Sequence, residues 1–116
     1  MSSKSYKQLT QDLNQAIGSL RAAQPGTLEG FSAMSRAALA PGVLSAIDKE
    51  LMALSIGVAG HCDGCIGFHV KTLVRLGASY QQLTETLAVA VYMGGGPSLM
   101  YAADAVRAWD EFGGKS

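Results

Sequence analysis

Apolar residues recur every three or four positions along most of the chain, and this helical period constrains the fold more than any other feature. Pro and Gly residues that favour turns divide the pattern into six segments. No stretch has the sustained alternation of β-branched residues that is typical of a strand. We therefore predict an all-α fold in which about six helices form a bundle.

Capping residues and turn residues give the expected helix limits. Ser45 with Asp48, and Ser79 with Gln82, have the spacing of a capping box. The predicted segments run from about Ser5 to Ala23, from Thr27 to Leu39, from after Ser45 to near Gly60, from Cys65 or just before it to Gly77, from after Ser79 to a Gly94–Gly96 linker, and from Pro97 to Gly113. The first segment should turn Tyr6, Leu9, Leu13, Ile17 and Leu20 inward, and the last Leu99, Ala102, Ala103, Val106 and Trp109.

Length and charge indicate one domain over residues 1–116 and argue against several partner classes. The 116 residues carry no net charge and are 48% hydrophobic, which argues against a disordered tail or a basic nucleic-acid-binding arm. Only 16% are charged, against about 25% in an average soluble domain. We expect part of the apolar surface to be buried in a homo-oligomer; a compact monomer with an Ala-rich surface is the alternative.

The sequence predicts neither an export signal nor a membrane helix. The segment from Met1 to Leu9 is polar, and no apolar stretch of the signal-peptide type follows it, so we expect a cytoplasmic protein. The longest uncharged run lies between Glu85 and Asp104, but Gly94 to Gly96 and Pro97 interrupt it. That break favours two separate helices over one membrane span.

The two cysteines, Cys62 and Cys65, form a CxxC motif at the predicted start of the fourth helix. A structural disulfide is disfavoured in a reducing compartment. Zinc needs about four ligands, and the nearby Cys62, Cys65, His61 and His69 are crowded onto one turn and helix, so we expect no metal. No flavin or nucleotide motif is present, so we expect no cofactor. A redox-active dithiol fits the motif better.

Two further residues are candidates for moving protons to and from these sulfurs. His69 follows Cys65 by one helical turn, where an imidazole can exchange a proton near neutral pH. If the third and fourth helices pack antiparallel, His69 returns toward Glu50, which then orients the imidazole in a relay to the sulfurs. The alternatives are a buried structural His69 and a surface Glu50 paired with Lys49 or Lys71.

The segment from Glu50 through LMALSIGVAGH to the CxxC motif and His69 resembles the AhpD-like alkylhydroperoxidase core of the carboxymuconolactone decarboxylase family. A glutamate stands twelve residues before the CxxC motif and a histidine four residues after it, and the resemblance covers about Ser45 to Gly95. It implies an all-helical subunit that forms trimers or hexamers. It also implies a cysteine peroxidase in which peroxide attacks Cys65, Cys62 resolves the product, and Glu50 and His69 relay protons.

The family pattern has a further histidine just before the second cysteine, and this sequence has Gly64 at that position instead. Without this histidine the proton relay would be shorter. Either the peroxidase activity would then be weak, or the true substrate would differ from a peroxide. Reasoning from CxxC motifs at helix starts would instead make Cys62 the attacking thiol.

We predict an enzyme that reduces hydrogen peroxide or organic hydroperoxides and is recycled by an external thiol reductant or a reductase protein. The alternatives are a disulfide reductase or electron-transfer adaptor, a lactone enzyme like the decarboxylase branch, and a non-catalytic redox-responsive oligomer. The decarboxylase branch of the family resembles a lactone enzyme that lacks the paired thiols. The CxxC motif of this chain therefore argues against a lactone enzyme.

Overall fold

The computed structural model describes residues 4–116, and these form six α-helices without a strand. The helices are α1 (Tyr6–Ala23), α2 (Pro25–Leu39), α3 (Ala46–Ala59), α4 (Asp63–Leu76), α5 (Tyr80–Gly94) and α6 (Gly96–Glu111). The predicted all-α fold is therefore confirmed. Residues 1–3, which belong to the polar N-terminal segment noted above, lie outside the described residues.

Local capping chemistry begins and ends the central helices as predicted. The hydroxyl of Ser45 accepts from the backbone N–H of Asp48, and Ser79 does the same for Gln82, with both capping boxes complete. α4 ends at Gly77, whose φ of 80° is the left-handed conformation that glycine adopts without strain.

Two predicted boundaries were wrong. α2 begins at Pro25 and not at Thr27, so that only Gln24 separates it from α1. Proline suits a first helical turn because it has a fixed φ and its missing N–H has no partner there anyway. The expected linker of three glycines is also shorter, since Gly95 alone (φ 76°) separates α5 from α6.

The core lies where α3 and α4 pack against each other and against α5 and α6. Its largest fully buried side chains are Trp109, Tyr6, Leu54, Ile66, Leu73 and Leu83. Five of the ten residues predicted to face inward lie in or against this core: Tyr6, Leu9, Ala102, Val106 and Trp109. Leu13 and Ile17 are half-buried, and the prediction was wrong for Leu20, Leu99 and Ala103, which are exposed. α1 buries residues only in its first turns, which leaves Leu20 beyond the core.

α6 presents a slightly different face to the core from the predicted one. The buried positions are Ser98, Ala102, Ala105 and Trp109, together with Ala108, so the face is rotated away from Leu99 and Ala103, while Val106 is partly buried against the core. Small side chains bring the backbone of α6 close to its neighbours, and the larger Leu99 then lies outside.

α2 lies at the periphery, in contact with α1 and α3. None of its residues, all within the described range, is buried, and Phe31 and Met34 are 62% and 61% exposed. A helix of this kind receives little stabilisation from packing within its own subunit.

None of the helices formed by residues 4–116 combines the length and apolar character needed to cross a bilayer.

α1 packs closely against α4 at Gly67. A Cβ atom at Gly67 would lie 2.8 Å from Cγ2 of Thr10 and 3.2 Å from the ring of Tyr6. Thr10 has no freedom to withdraw, because it is buried and its hydroxyl donates to the carbonyl oxygens of Tyr6 and Lys7. Glycine is thus required here by the close approach of two helices.

Gly67→Ala is expected to lower the free energy of unfolding, because overpacking of about 1–3 kcal/mol outweighs the gain in helix propensity. Gly30→Ala, in α2, is the matched control: a Cβ there meets no atom within 4 Å. It should raise stability by about 0.5–1 kcal/mol. Urea denaturation of both variants checks the pair, and equal stability changes would contradict the assigned contact.

Candidate functional site

Cys62 and Cys65 lie at the first turn of α4 and are joined by a disulfide, with their Cα atoms 5.3 Å apart. Cys62 is the N-cap residue, in an extended backbone conformation, and the helix begins at Asp63. The backbone N–H of Cys65 donates to Sγ of Cys62 across 3.2 Å. The Cys62 sulfur therefore occupies the position in which a Ser or Asp oxygen usually caps a helix.

A tight turn brings this motif back against α3. His61 adopts a left-handed conformation with φ of 56°, and the N–H of Cys62 donates to the carbonyl oxygen of Gly57 at 2.9 Å. A Cβ atom at Gly57 would lie 2.9 Å from Cβ of Cys65. The absence of a side chain at Gly57 is what lets the cysteine-bearing turn lie directly on α3.

Glu50 of α3 and His69 of α4 meet through a hydrogen bond of 2.6 Å between Oε2 and Nδ1. Glu50 is only 8% exposed, whereas the His69 side chain keeps 26% of its surface accessible. Of the two alternatives for Glu50, the structure selects the semi-buried one, and Lys49 instead donates to the carbonyl oxygen of Ala40. The predicted juxtaposition of the two residues is present.

This bond fixes which nitrogen of His69 faces the rest of the site. When the carboxylate of Glu50 is ionised it can only accept hydrogen bonds, and Nδ1 of His69 is then the donor. Nε2 is left to exchange a proton with other groups. Because His69 follows Cys65 by four residues in α4, the imidazole and that cysteine share one face of the helix.

The sequence assigned no partner to His61, and the structure gives it two. Its ring stacks on Tyr101 with centroids 4.8 Å apart and planes inclined by 7°, and its Nε2 lies 3.5 Å from Oγ of Ser98. Ser98 is fully buried, and its hydroxyl occupies the space that a side chain at Gly94 would need. A histidine beside a CxxC motif was the only local signal for this contact.

The two histidines thus have separate partners, since His69 bonds to Glu50 while His61 packs against α6. Within residues 4–116, no three His, Cys, Asp or Glu side chains are grouped closely enough to hold a metal ion. Near Gly64, α1 covers the turn, and a Cβ atom there would lie 2.9 Å from Cδ1 of Leu13.

A model of the carboxymuconolactone decarboxylase family matches residues 25–108, which extend from the start of α2 into α6. The chain belongs to this family. Membership and the disulfide-linked Cys62–Cys65 pair are together compatible with an AhpD-like redox function, and the family includes enzymes.

Two solved structures share the fold. One is an apo carboxymuconolactone decarboxylase family protein from Legionella pneumophila, with a TM-score of 0.90 and 48% identity over 92% of this chain and 96% of that one. The other, from Thermotoga maritima, has a TM-score of 0.79 and 26% identity over 88% and 87% of the two chains. The Thermotoga protein is named as a candidate for involvement in an antioxidative response.

Sequence relatives cover a similar share of the chain. An uncharacterized protein of Cupriavidus necator is 39% identical over 99 residues, which are 85% of this chain and 88% of the relative. An uncharacterized protein from the cox locus of Paracoccus denitrificans is 32% identical over 99 residues, which are 85% and 89% of the two chains.

Glu50 and His69 should be energetically coupled, because removing either one leaves the other with a semi-buried polar group and no partner. In a double-mutant cycle with Glu50→Ala and His69→Ala, we expect a coupling free energy of about 1–3 kcal/mol in urea denaturation. Glu85→Ala, at an exposed position of α5, is the control and should not couple to His69→Ala. Additive effects of Glu50→Ala and His69→Ala would contradict the pairing.

Proposed function

We propose that the protein is a thiol-dependent peroxidase that reduces hydrogen peroxide or organic hydroperoxides by cycling Cys62 and Cys65 between dithiol and disulfide. The observation that carries this proposal is the hydrogen bond between Glu50 and His69, one helical turn from Cys65. It supplies an oriented imidazole next to a pair of sulfurs that can already form a bond.

In the first step, the thiolate of Cys65 attacks the terminal oxygen of the hydroperoxide. A sulfur–oxygen bond forms and the oxygen–oxygen bond breaks, which gives the sulfenic acid of Cys65 and an alkoxide or hydroxide. His69 delivers the proton that turns this leaving group into an alcohol or water, and Glu50 stabilises the imidazole as its charge changes.

In the second step, the thiolate of Cys62 attacks the sulfenic sulfur of Cys65. The disulfide forms, the sulfur–oxygen bond breaks and the departing hydroxide takes a proton to become water. An external dithiol, or a reductase protein, then reduces the disulfide and is itself oxidised. This step fits a reducing compartment such as the cytoplasm, where thiol reductants are abundant.

Disulfide exchange is a second candidate function, and one contact favours it. Sγ of Cys62 accepts the N–H of Cys65 at the start of α4, where the helix dipole also favours negative charge. Both effects lower the energy of a Cys62 thiolate, which would make it the attacking sulfur toward a protein or small disulfide. A disulfide reductase or electron-transfer adaptor would work in this way.

We also propose that the subunit is part of a homo-oligomer, a trimer or hexamer by the family resemblance. α2 has no buried residue, so it lacks the packing that stabilises a helix of its length. Further large apolar side chains are exposed on α3, α5 and α6: Met52, Ile56, Val89, Tyr92, Met93, Leu99 and Met100. A second copy would remove such surface from water.

The pre-reduced protein should consume cumene hydroperoxide or hydrogen peroxide in stopped-flow experiments, with two thiols lost for each peroxide consumed. Cys65→Ser should abolish this turnover. Cys62→Ser should allow a single reaction that stops at the sulfenic acid, which a sulfenic-acid-specific reagent detects. His69→Gln should slow the first step about 10²–10⁴-fold, because it removes the proton donor. Glu50→Gln should slow it about tenfold or more, because it removes the carboxylate that orients the imidazole.

Full turnover by Cys65→Ser would exclude Cys65 as the attacking residue. Turnover of a small or protein disulfide that exceeds turnover of peroxide, and depends on Cys62, would select disulfide exchange. Absence of turnover with either substrate, together with a molar mass that the cysteine variants alter, would indicate a non-catalytic redox-responsive oligomer.

Phe31→Asp should lower the molar mass measured by light scattering, because it puts a charge on the exposed apolar face of α2. Ala33→Asp introduces the same charge two residues away, on the other side of the helix, and is the matched control. A wild-type mass of one subunit at all concentrations would refute the oligomer.

A further inference from the structure

Asp63 lies between the two cysteines in the sequence and carries a charge. The N-terminal segment holds its carboxylate in place. Nζ of Lys4 lies 2.8 Å from Oδ1 of Asp63 and 3.2 Å from Oδ2 of Asp104 on α6. Lys4 therefore bridges the first residue of α4 to α6, although its position in the chain is far from both. Nothing in the reaction scheme above uses this contact.

Lys4 is held in place from several directions. Asp104 accepts the hydroxyl of Tyr6 at 2.9 Å and pairs with Arg107, which in turn donates to the carbonyl oxygen of Lys4 at 2.8 Å. Burial, and then the bond to Asp104, raise the pKa of Tyr6 far above its usual value, so Tyr6 stays a neutral donor. Burial lowers the pKa of Lys4, but Asp63 and Asp104 outweigh it and raise the pKa.

The start of α1 is fixed in the same region by Glu111. This carboxylate, at the end of α6, accepts the backbone N–H groups of Tyr6 and Lys7 at 3.1 Å and 2.8 Å, and also the hydroxyl of Ser5. Burial opposes these hydrogen bonds, but together they lower the pKa of Glu111. The segment before α1 is therefore anchored to α6, and Lys4 is directed toward Asp63.

The charge of Asp63 acts differently on the two redox states of its neighbours. The Cys62–Cys65 disulfide is neutral, whereas the dithiol ionises to a thiolate. An uncompensated carboxylate on the residue that follows Cys62 would repel that thiolate and so disfavour the reduced form. A cation that neutralises Asp63 and draws its carboxylate toward α1 and α6 would remove the repulsion.

We propose that Lys4 is a positioning residue for the dithiol, which raises the reduction potential of the Cys62–Cys65 pair by neutralising Asp63 and holding its carboxylate. The role in turnover rests on the redox cycle proposed above. The potential itself is measured without peroxide, so failure of the peroxidase assay and failure of this inference give different results.

The test is equilibration of the folded protein with glutathione redox buffers, with thiol quantitation. We expect Lys4→Gln to shift the equilibrium toward the disulfide by about three- to fivefold, which lowers the potential by about 15–20 mV. Asp63→Asn should shift the potential in the opposite direction, because it removes the repelling charge. In the Asp63→Asn background, Lys4→Gln should have little further effect, since position 63 then carries no charge for Lys4 to neutralise, and the remaining partner of Lys4, Asp104, lies on α6.

Two control variants distinguish this role of Lys4 from a general effect of positive charge on the reduction potential. Lys4→Arg keeps the cation and should retain the wild-type potential, while Lys7→Gln removes an exposed charge from the same end of α1 and should leave it unchanged. Because Lys4 and Asp63 are 41% and 37% exposed, high salt should reduce the effect of Lys4→Gln. An unchanged potential in Lys4→Gln, or an equal shift with and without Asp63, overturns the inference.

Discussion

The close approach of α3 and α4 is the constraint on which the rest of the site depends. Close to the turn that joins the two helices, Gly57 provides the space for Cys65. Farther from the turn, Glu50 bonds to His69. A semi-buried carboxylate is costly unless it has a partner, so the histidine satisfies a requirement of folding as well as one of chemistry. The same helix pair therefore fixes both the position of the sulfurs and the orientation of the imidazole.

Much of this arrangement could be predicted because it depends on short spacings along the chain. The capping box at Ser45 sets where α3 begins, and the turn residues after Gly60 require α4 to run back along it. Given that reversal, the spacings of Glu50 and His69 from the turn bring them together. The all-α fold follows in the same way, from a helical period with no competing strand signal.

The features that could not be predicted join residues far apart in the sequence. The stacking of His61 on Tyr101 and the pairing of Lys4 with Asp63 depend on how α6 and the N-terminal segment pack against the start of α4. Periodicity identifies which helices are amphipathic, but a rotation about the helix axis decides whether Leu99 or a smaller neighbour faces inward. Such rotations are set by the fit of small side chains, which sequence spacing does not encode.

The cap of α4 explains how this turn can change redox state without losing its helix. In the oxidised form, the covalent bond between Cys62 and Cys65 closes the first turn, and Sγ of Cys62 accepts the N–H of Cys65. On reduction the covalent link is lost, but a thiolate at Cys62 is a stronger acceptor for the same N–H and interacts favourably with the helix dipole. The hydrogen bond to Sγ of Cys62 strengthens when the disulfide is lost, so the start of the helix has a stabilising interaction in both states. The alignment of His69 with Cys65 depends on that helical start, and the proton-relay geometry can therefore persist through the cycle.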